Sequence, residues 1–138
     1  MGFLIDTNVL SEVRKRRHDQ HVETWFHQQY PRTMFTSVLV LAEFRRGALL
    51  LGRSDPRAAQ ALETWIAAIE RRFDERVLPI SQEVAYGWAR LIVPDPLPVI
   101  DGLLAATALV HGLTLVTRNI KDIARTGVPL LNPFEVQT

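Results

Sequence analysis

Between Gly2 and Leu10 the chain reads Gly2-Phe3-Leu4-Ile5-Asp6-Thr7-Asn8-Val9-Leu10, a short apolar run that stops at a carboxylate and passes at once into helical spacing. An apolar run of this length, bounded by a polar residue and followed directly by a helix, reads as a strand of an open parallel sheet. Such sheets bind ligands at the carboxyl ends of their strands, and Asp6 is delivered to that edge. It is the only charged side chain before Glu12. Whatever else the chain does, it must build a sheet around this strand and find a use for that acid.

The remaining sequence repeats the same alternation. Val9, Leu10 and Val13 mark one face of a short helix with Asp6 or Thr7 as N-cap, and a second helix is expected over Val22–Tyr30, ended by Pro31. Met34–Ser37 reads as a second strand, with Ser37 placed to cap the helix that follows. That helix, Val38–Leu51, is apolar almost all round, so it is either central to the core or covered by another chain. Asp55 and Pro56 have the chemistry of an N-cap and first helical position, and Ala58, Leu62, Trp65, Ile66, Ile69 and Phe73 then follow at amphipathic spacing, which marks the aromatics as core. Val77–Ile80 is a third strand, and Ser81 caps a helix bearing Val84, Ala85, Trp88, Leu91 and Ile92. The loop Pro94–Pro98 leads into an alanine-rich helix ending at His111. Leu113–Thr117 is a fourth strand, and Val128–Leu131 adds an edge strand. This pattern predicts one α/β domain over residues 1–138, a mostly parallel sheet of four to five strands flanked by helices.

Composition matters here for what it excludes. The chain has no cysteine, which removes disulfides, thiolate metal sites and cysteine nucleophiles together. A net charge of +1 creates no field that names a nucleic-acid partner, so any such partner must be read from local patches. The uncharged stretch Gly102–Thr117 is too short to span a bilayer and is broken at His111-Gly112. No basic segment followed by an apolar one opens the chain. A soluble, cytoplasmic protein with no membrane association is expected.

Three acids stand out. Asp6, Glu43 and Asp101 each lie in an apolar stretch with no other acid within five residues. Taken singly, each has a structural role open to it: Asp6 and Asp101 as N-caps, worth about 1 kcal/mol, and Glu43 as a partner for Arg46. Taken together, they are all positioned to reach the carboxyl edge of the sheet. Two carboxylates ~6 Å apart repel by roughly 3 kcal/mol at an effective dielectric of ~20, and no lysine or arginine adjoins Asp6 or Asp101. A divalent cation is the economical counter-charge, and oxygen ligands favour Mg²⁺, or Mn²⁺, over zinc.

Four blocks of sequence then carry a family resemblance: Ile5-Asp6-Thr7-Asn8-Val9-Leu10; Ala42-Glu43; Leu97-Pro98-Val99-Ile100-Asp101-Gly102-Leu103-Leu104-Ala105-Ala106-Thr107-Ala108; and Gly112-Leu113-Thr114-Leu115-Val116-Thr117-Arg118-Asn119. In this order they resemble the PIN-domain nucleases, above all the VapC and FitB toxins of bacterial toxin–antitoxin pairs. The resemblance implies a Mg²⁺-dependent endoribonuclease held inactive by a cognate antitoxin protein, a homodimer that forms a larger complex with that antitoxin. It also implies that Asp6, Glu43 and Asp101 form the metal site. Many members have a fourth acid directly after Thr-Arg; this chain has Asn119 there, and Asp122, three residues on, is the candidate substitute.

On that reading Asp6, Glu43, Asp101 and Asp122 are the candidate catalytic residues, and Thr7, Asn8, Ser37, Thr117 and Asn119 the candidates for hydrogen bonds that fix the carboxylates. Arg14, Arg16, Arg17, Arg45 and Arg46 are candidates for gripping an RNA backbone or for receiving an acidic antitoxin tail. Two other readings stand beside it. A degenerate member would bind RNA or antitoxin without cleaving, as Asn119 allows. An aspartyl-phosphate phosphotransferase would use Asp6 as nucleophile, although Asn8 occupies the position where such enzymes place a second Asp.

Overall fold

A computed structural model describes residues 1–137 of the chain. Five strands, β1 (Gly2–Ile5), β2 (Met34–Ser37), β3 (Val77–Leu78), β4 (Leu113–Val116) and β5 (Leu130–Leu131), form a sheet in the order β3-β2-β1-β4-β5. Every pairing is parallel. The first strand is therefore the middle one, and its Leu4 and Ile5 are fully buried. After β1 the chain builds outward on one side through β2 and β3, then returns to the other side of β1 with β4. The β1/β4 boundary is the topological switch point, where an open parallel sheet leaves a crevice beyond its strand ends.

Two strands are shorter than their apolar runs predict. β3 stops at Leu78 because Pro79 has no N–H for the ladder, and β5 is limited to Leu130–Leu131. Among the described residues seven α-helices flank the sheet: α1 (Thr7–Arg14), α2 (Gln20–Gln28), α3 (Val38–Leu51), α4 (Pro56–Phe73), α5 (Gln82–Leu91), α6 (Val99–His111) and α7 (Ile120–Ile123). The expected caps form. Asp6, Ser37, Asp55 and Ser81 accept from backbone N–H groups of α1, α3, α4 and α5. α2 starts at Gln20, two residues before the expected Val22, because Asp19 caps it by accepting from His21 and Val22 N–H. Gly112 ends α6 in the left-handed region at φ +65°, donating back to Ala108 and Leu109 carbonyls, a conformation glycine adopts without Cβ strain.

The apolar character of α3 is only half used. Val40, Phe44 and Ala48 are buried, with Phe44 edge-on to Trp65 of α4 at 4.9 Å between ring centroids. Leu49 and Leu50 are 74% and 48% exposed. α3 thus flanks the core and turns part of its apolar surface outward.

α6 lies against α5 and carries Gly102 at the closest approach. A Cβ built there would fall 2.9 Å from Trp88 Cδ1 and 3.1 Å from its Nε1. Gly102→Ala is expected to lower stability by about 1 kcal/mol in chemical denaturation: overpacking a fixed indole costs about 1–3 kcal/mol, against roughly 1 kcal/mol gained in helix propensity. An unchanged or raised midpoint would mean that Trp88 gives way freely.

Candidate active site

The site grows from the switch point. Asp6 follows β1 directly; its N–H donates to the Val116 carbonyl at 3.0 Å, which ties the exit of β1 to that of β4. Its side chain is 6% exposed. One carboxylate oxygen accepts from Thr7 N–H at 2.6 Å, and the other from the Thr117 hydroxyl at 2.7 Å. Thr117, fully buried, accepts in turn from Asn8 Nδ2 at 3.2 Å and from Asn119 N–H at 3.1 Å. Asn8 also accepts from Arg118 N–H at 3.2 Å. The first turn of α1 and the segment after β4 are thus laced together around one carboxylate.

The other two acids are held by single bonds from this frame. Thr7 donates its hydroxyl to Glu43 Oε1 at 2.6 Å, joining α1 to α3. Asn119 Nδ2 donates to Asp101 Oδ2 at 3.1 Å, joining the β4 exit to α6. Asp101 caps no helix, because the N-cap of α6 is Pro98 and Asp101 sits within its first turn. Glu43 makes no ion pair with Arg46 among the described residues. Asp6, Glu43 and Asp101 all face a cavity of about 580 Å³, whose other walls are Thr7, Asn8, Ser11, Pro98, Val99, Ile100 and Asn119.

The electrostatics follow from that convergence. Burial pushes the Asp6 carboxyl above its usual range; the bonds from Thr117 and Thr7 pull it back in part, and the charges of Asp101 and Glu43 raise it further. Asp101 is likewise raised, first by burial and then by Glu43 and Asp122, with the Asn119 bond opposing. No lysine or arginine lines the cavity. The acids ring it instead of closing on one point: among the described residues, no three His, Cys, Asp or Glu side chains are gathered into a ready-made ligand cluster. The donor set nevertheless suits Mg²⁺, a hard ion that takes oxygen ligands, keeps several waters and uses one or two carboxylates at a time.

The other candidates lie at varying distances from this centre. Asp122 does not line the cavity; it lines a separate basin beyond Pro98, while Asn119 stands on the cavity wall. Ser37 is buried and spends its hydroxyl on capping α3, accepting from Leu39 N–H at 3.0 Å. Arg45 is tied to Glu63 and Glu70 of α4, so it is not available as a free phosphate contact. Arg14 lies over the Trp65 ring at 5.8 Å, whereas Arg16, Arg17 and Arg46 are exposed. Sequence reasoning missed Ser11, Pro98, Val99 and Ile100 as cavity walls. Ser11 was within reach, lying four residues after Thr7 on the same helical face.

Comparison with known proteins bears on the family and the fold. Residues 3–128 match the family model of the PIN domain. The VapC ribonuclease Y4jK of Sinorhizobium fredii is 30% identical over 96% of this chain and 98% of its own length, and toxin FitB of Neisseria gonorrhoeae is 30% identical over the same shares. A solved structure of FitAB bound to a DNA fragment superposes with a TM-score of 0.90 at 27% identity, covering 99% of this chain and 98% of the other. With a family match over nearly its whole length and 30% identity to relatives covered almost end to end, the chain belongs to the PIN-domain family.

Proposed function

We propose that this protein is a Mg²⁺-dependent endoribonuclease, the toxin of a toxin–antitoxin pair, hydrolysing RNA phosphodiester bonds at the cavity bounded by Asp6, Glu43 and Asp101. The observation that carries the reading is the cavity wall itself: three carboxylates share it and no basic side chain offsets them. The ribonuclease and toxin names of the relatives support the same reaction class. A partner antitoxin is supported by the likeness to a solved toxin–antitoxin complex from Klebsiella pneumoniae, 28% identical with a TM-score of 0.68. The uncovered apolar face of α3 supports association, with a second copy in a homodimer and with the antitoxin in a larger complex. No helix among the described residues is long and apolar enough to cross a membrane, which fits a cytoplasmic site of action.

In this reading Asp6 and Asp101 would hold the cation, with Glu43 as a third ligand or acting through water. A bound Mg²⁺ supplies charge neutralisation on the phosphoryl oxygens and a lower pKa for an attacking water. The chain supplies the positioning. Thr117 and Thr7 N–H fix both oxygens of Asp6, the Thr7 hydroxyl aims Glu43, and Asn119 aims Asp101. Glu43, on the same wall, can accept a proton from the water or orient it; Asp122 can do so only from outside this wall.

Two measurements test this together. RNA cleavage in Mg²⁺ is expected to stop with EDTA, and Mg²⁺ is expected to raise the melting temperature, since a ligand that binds only the folded state stabilises it. The thermal shift has a sign in pH. Both aspartates have raised pKa values, and the ion requires them deprotonated. The Mg²⁺-induced shift is therefore full above those raised values and fades as pH falls through them, beginning above the ordinary carboxylate range. Cleavage indifferent to chelation, or a thermal shift that persists undiminished far into acid, sinks the metal-site reading.

A further inference from the structure

A second basin, of about 320 Å³, adjoins the acidic cavity and shares Pro98 with it. Its walls are Pro96, Leu97 and Pro98 on one side and Lys121, Asp122 and Arg125 on the other. The volume lies at the lower end of small-ligand sites, which run from roughly 300 to 1,000 Å³. Lys121 is exposed and has no acidic partner within ion-pair distance among the described residues. Arg125 is held by its bond to the Pro96 carbonyl at 2.6 Å and by Asp95 at 3.4 Å, which fixes its guanidinium against the Pro96 side of the basin. The Pro96–Pro98 wall is apolar, with Leu97 8% exposed.

A cavity ringed by carboxylates repels a polyanion, so RNA affinity must come from cations outside it. Lys121 and Arg125 are the basic residues whose basin shares a wall with that cavity, and of the two Lys121 carries no ion pair among the described residues. We propose that this basin is a nucleotide subsite next to the scissile bond. Lys121 and Arg125 contact the phosphate of the adjoining nucleotide, and the proline–leucine wall contacts its base. Asp122, acidic and on the same rim, accepts from a ribose hydroxyl or a base amine. This makes the basin a determinant of which RNA is cut, and it gives Asp122 a substrate-binding role. The inference rests on the nuclease reading above.

The test is binding of a fluorescein-labelled single-stranded RNA dodecamer, measured across a salt series, alongside cleavage of the same RNA in Mg²⁺. Lys121→Ala is expected to weaken binding roughly three- to tenfold and to flatten the slope of log affinity against log salt by about 0.7, the value for one phosphate contact on a single strand. Lys121→Glu is expected to weaken it further, and in cleavage the loss falls on KM more than on kcat. Arg53→Ala, which removes the same charge from the α3–α4 loop, serves as reference and is expected to leave affinity unaltered. If the wild type cleaves and both Lys121 variants keep wild-type affinity and slope, or Arg53→Ala weakens binding equally, the subsite is overturned and the nuclease reading stands. If the wild type neither binds nor cleaves the RNA, both fall.

Discussion

Asp101→Asn is expected to lower RNA cleavage by at least about a hundredfold while raising the melting temperature of the metal-free protein. The loss follows from removing one of two direct ligands, since even residues that only orient ligands cost about 10- to 100-fold when replaced. The gain follows from the carboxyl's raised pKa. A carboxyl titrating higher when folded than when unfolded makes the folded state less stable at neutral pH than it would be with the group uncharged. Replacement by a neutral amide removes that cost, and the amide oxygen still gives Asn119 an acceptor. The helix dipole works the other way, because a negative charge in the first turn of α6 is favourable by about 0.3–1 kcal/mol. Against it stand burial and the charges of Glu43 and Asp122, which raise the Asp101 carboxyl. Thermal melts in EDTA together with cleavage assays in Mg²⁺ check both halves. Lost stability in the variant, or retained activity, would contradict the placement of Asp101 as an acid held at a cost for chemistry.

Thr117→Val should have the largest effect on stability, about 2–3 kcal/mol, with activity reduced roughly 10- to 100-fold. The substitution keeps volume and removes one hydroxyl. That hydroxyl is fully buried and serves Asp6, Asn8 and the Asn119 N–H at once. Each buried polar group left without a partner costs about 1–3 kcal/mol; Asn8 retains its long 3.4 Å approach to Asp6, which keeps the total below a simple sum. Since the Thr117 bond pulls the Asp6 pKa down, its loss moves Asp6 further up, and the fading of the Mg²⁺-induced thermal shift moves to higher pH. Thr117→Ser restores the hydroxyl and should recover most of the activity. A valine variant with wild-type denaturation midpoint would show that the network carries little energy.

The three acids were legible because each interrupts an apolar stretch, and nothing in a soluble core explains a lone carboxylate cheaply. The order of strands and helices was legible for the same reason, from runs of apolar residues of strand length set against helical spacing. What could not be read were the cross-chain bonds. Thr7 meets Glu43 across 36 residues and Thr117 meets Asp6 across 111, and no local pattern encodes such pairs. Arg45 illustrates the converse: near Glu43 in sequence it looks free, but Glu63 and Glu70 on the neighbouring helix claim it. Ser37 looked equally suited to capping and to supporting the acids, and folding commits it to the cap. The start of α2 was mistaken because its first turn is polar, so apolar spacing registers only from Val22.

Because β1 pairs with β4 on one side, β1 must wait for a strand that lies far from it along the chain. The hydroxyl and backbone carbonyl that seat Asp6 come from Thr117 and Val116. Pairings so distant along the chain form late, after the loop between them has closed. The seat of Asp6 is therefore incomplete until β4 has joined β1, and on the proposed reading the acids share one cavity only from that point in folding.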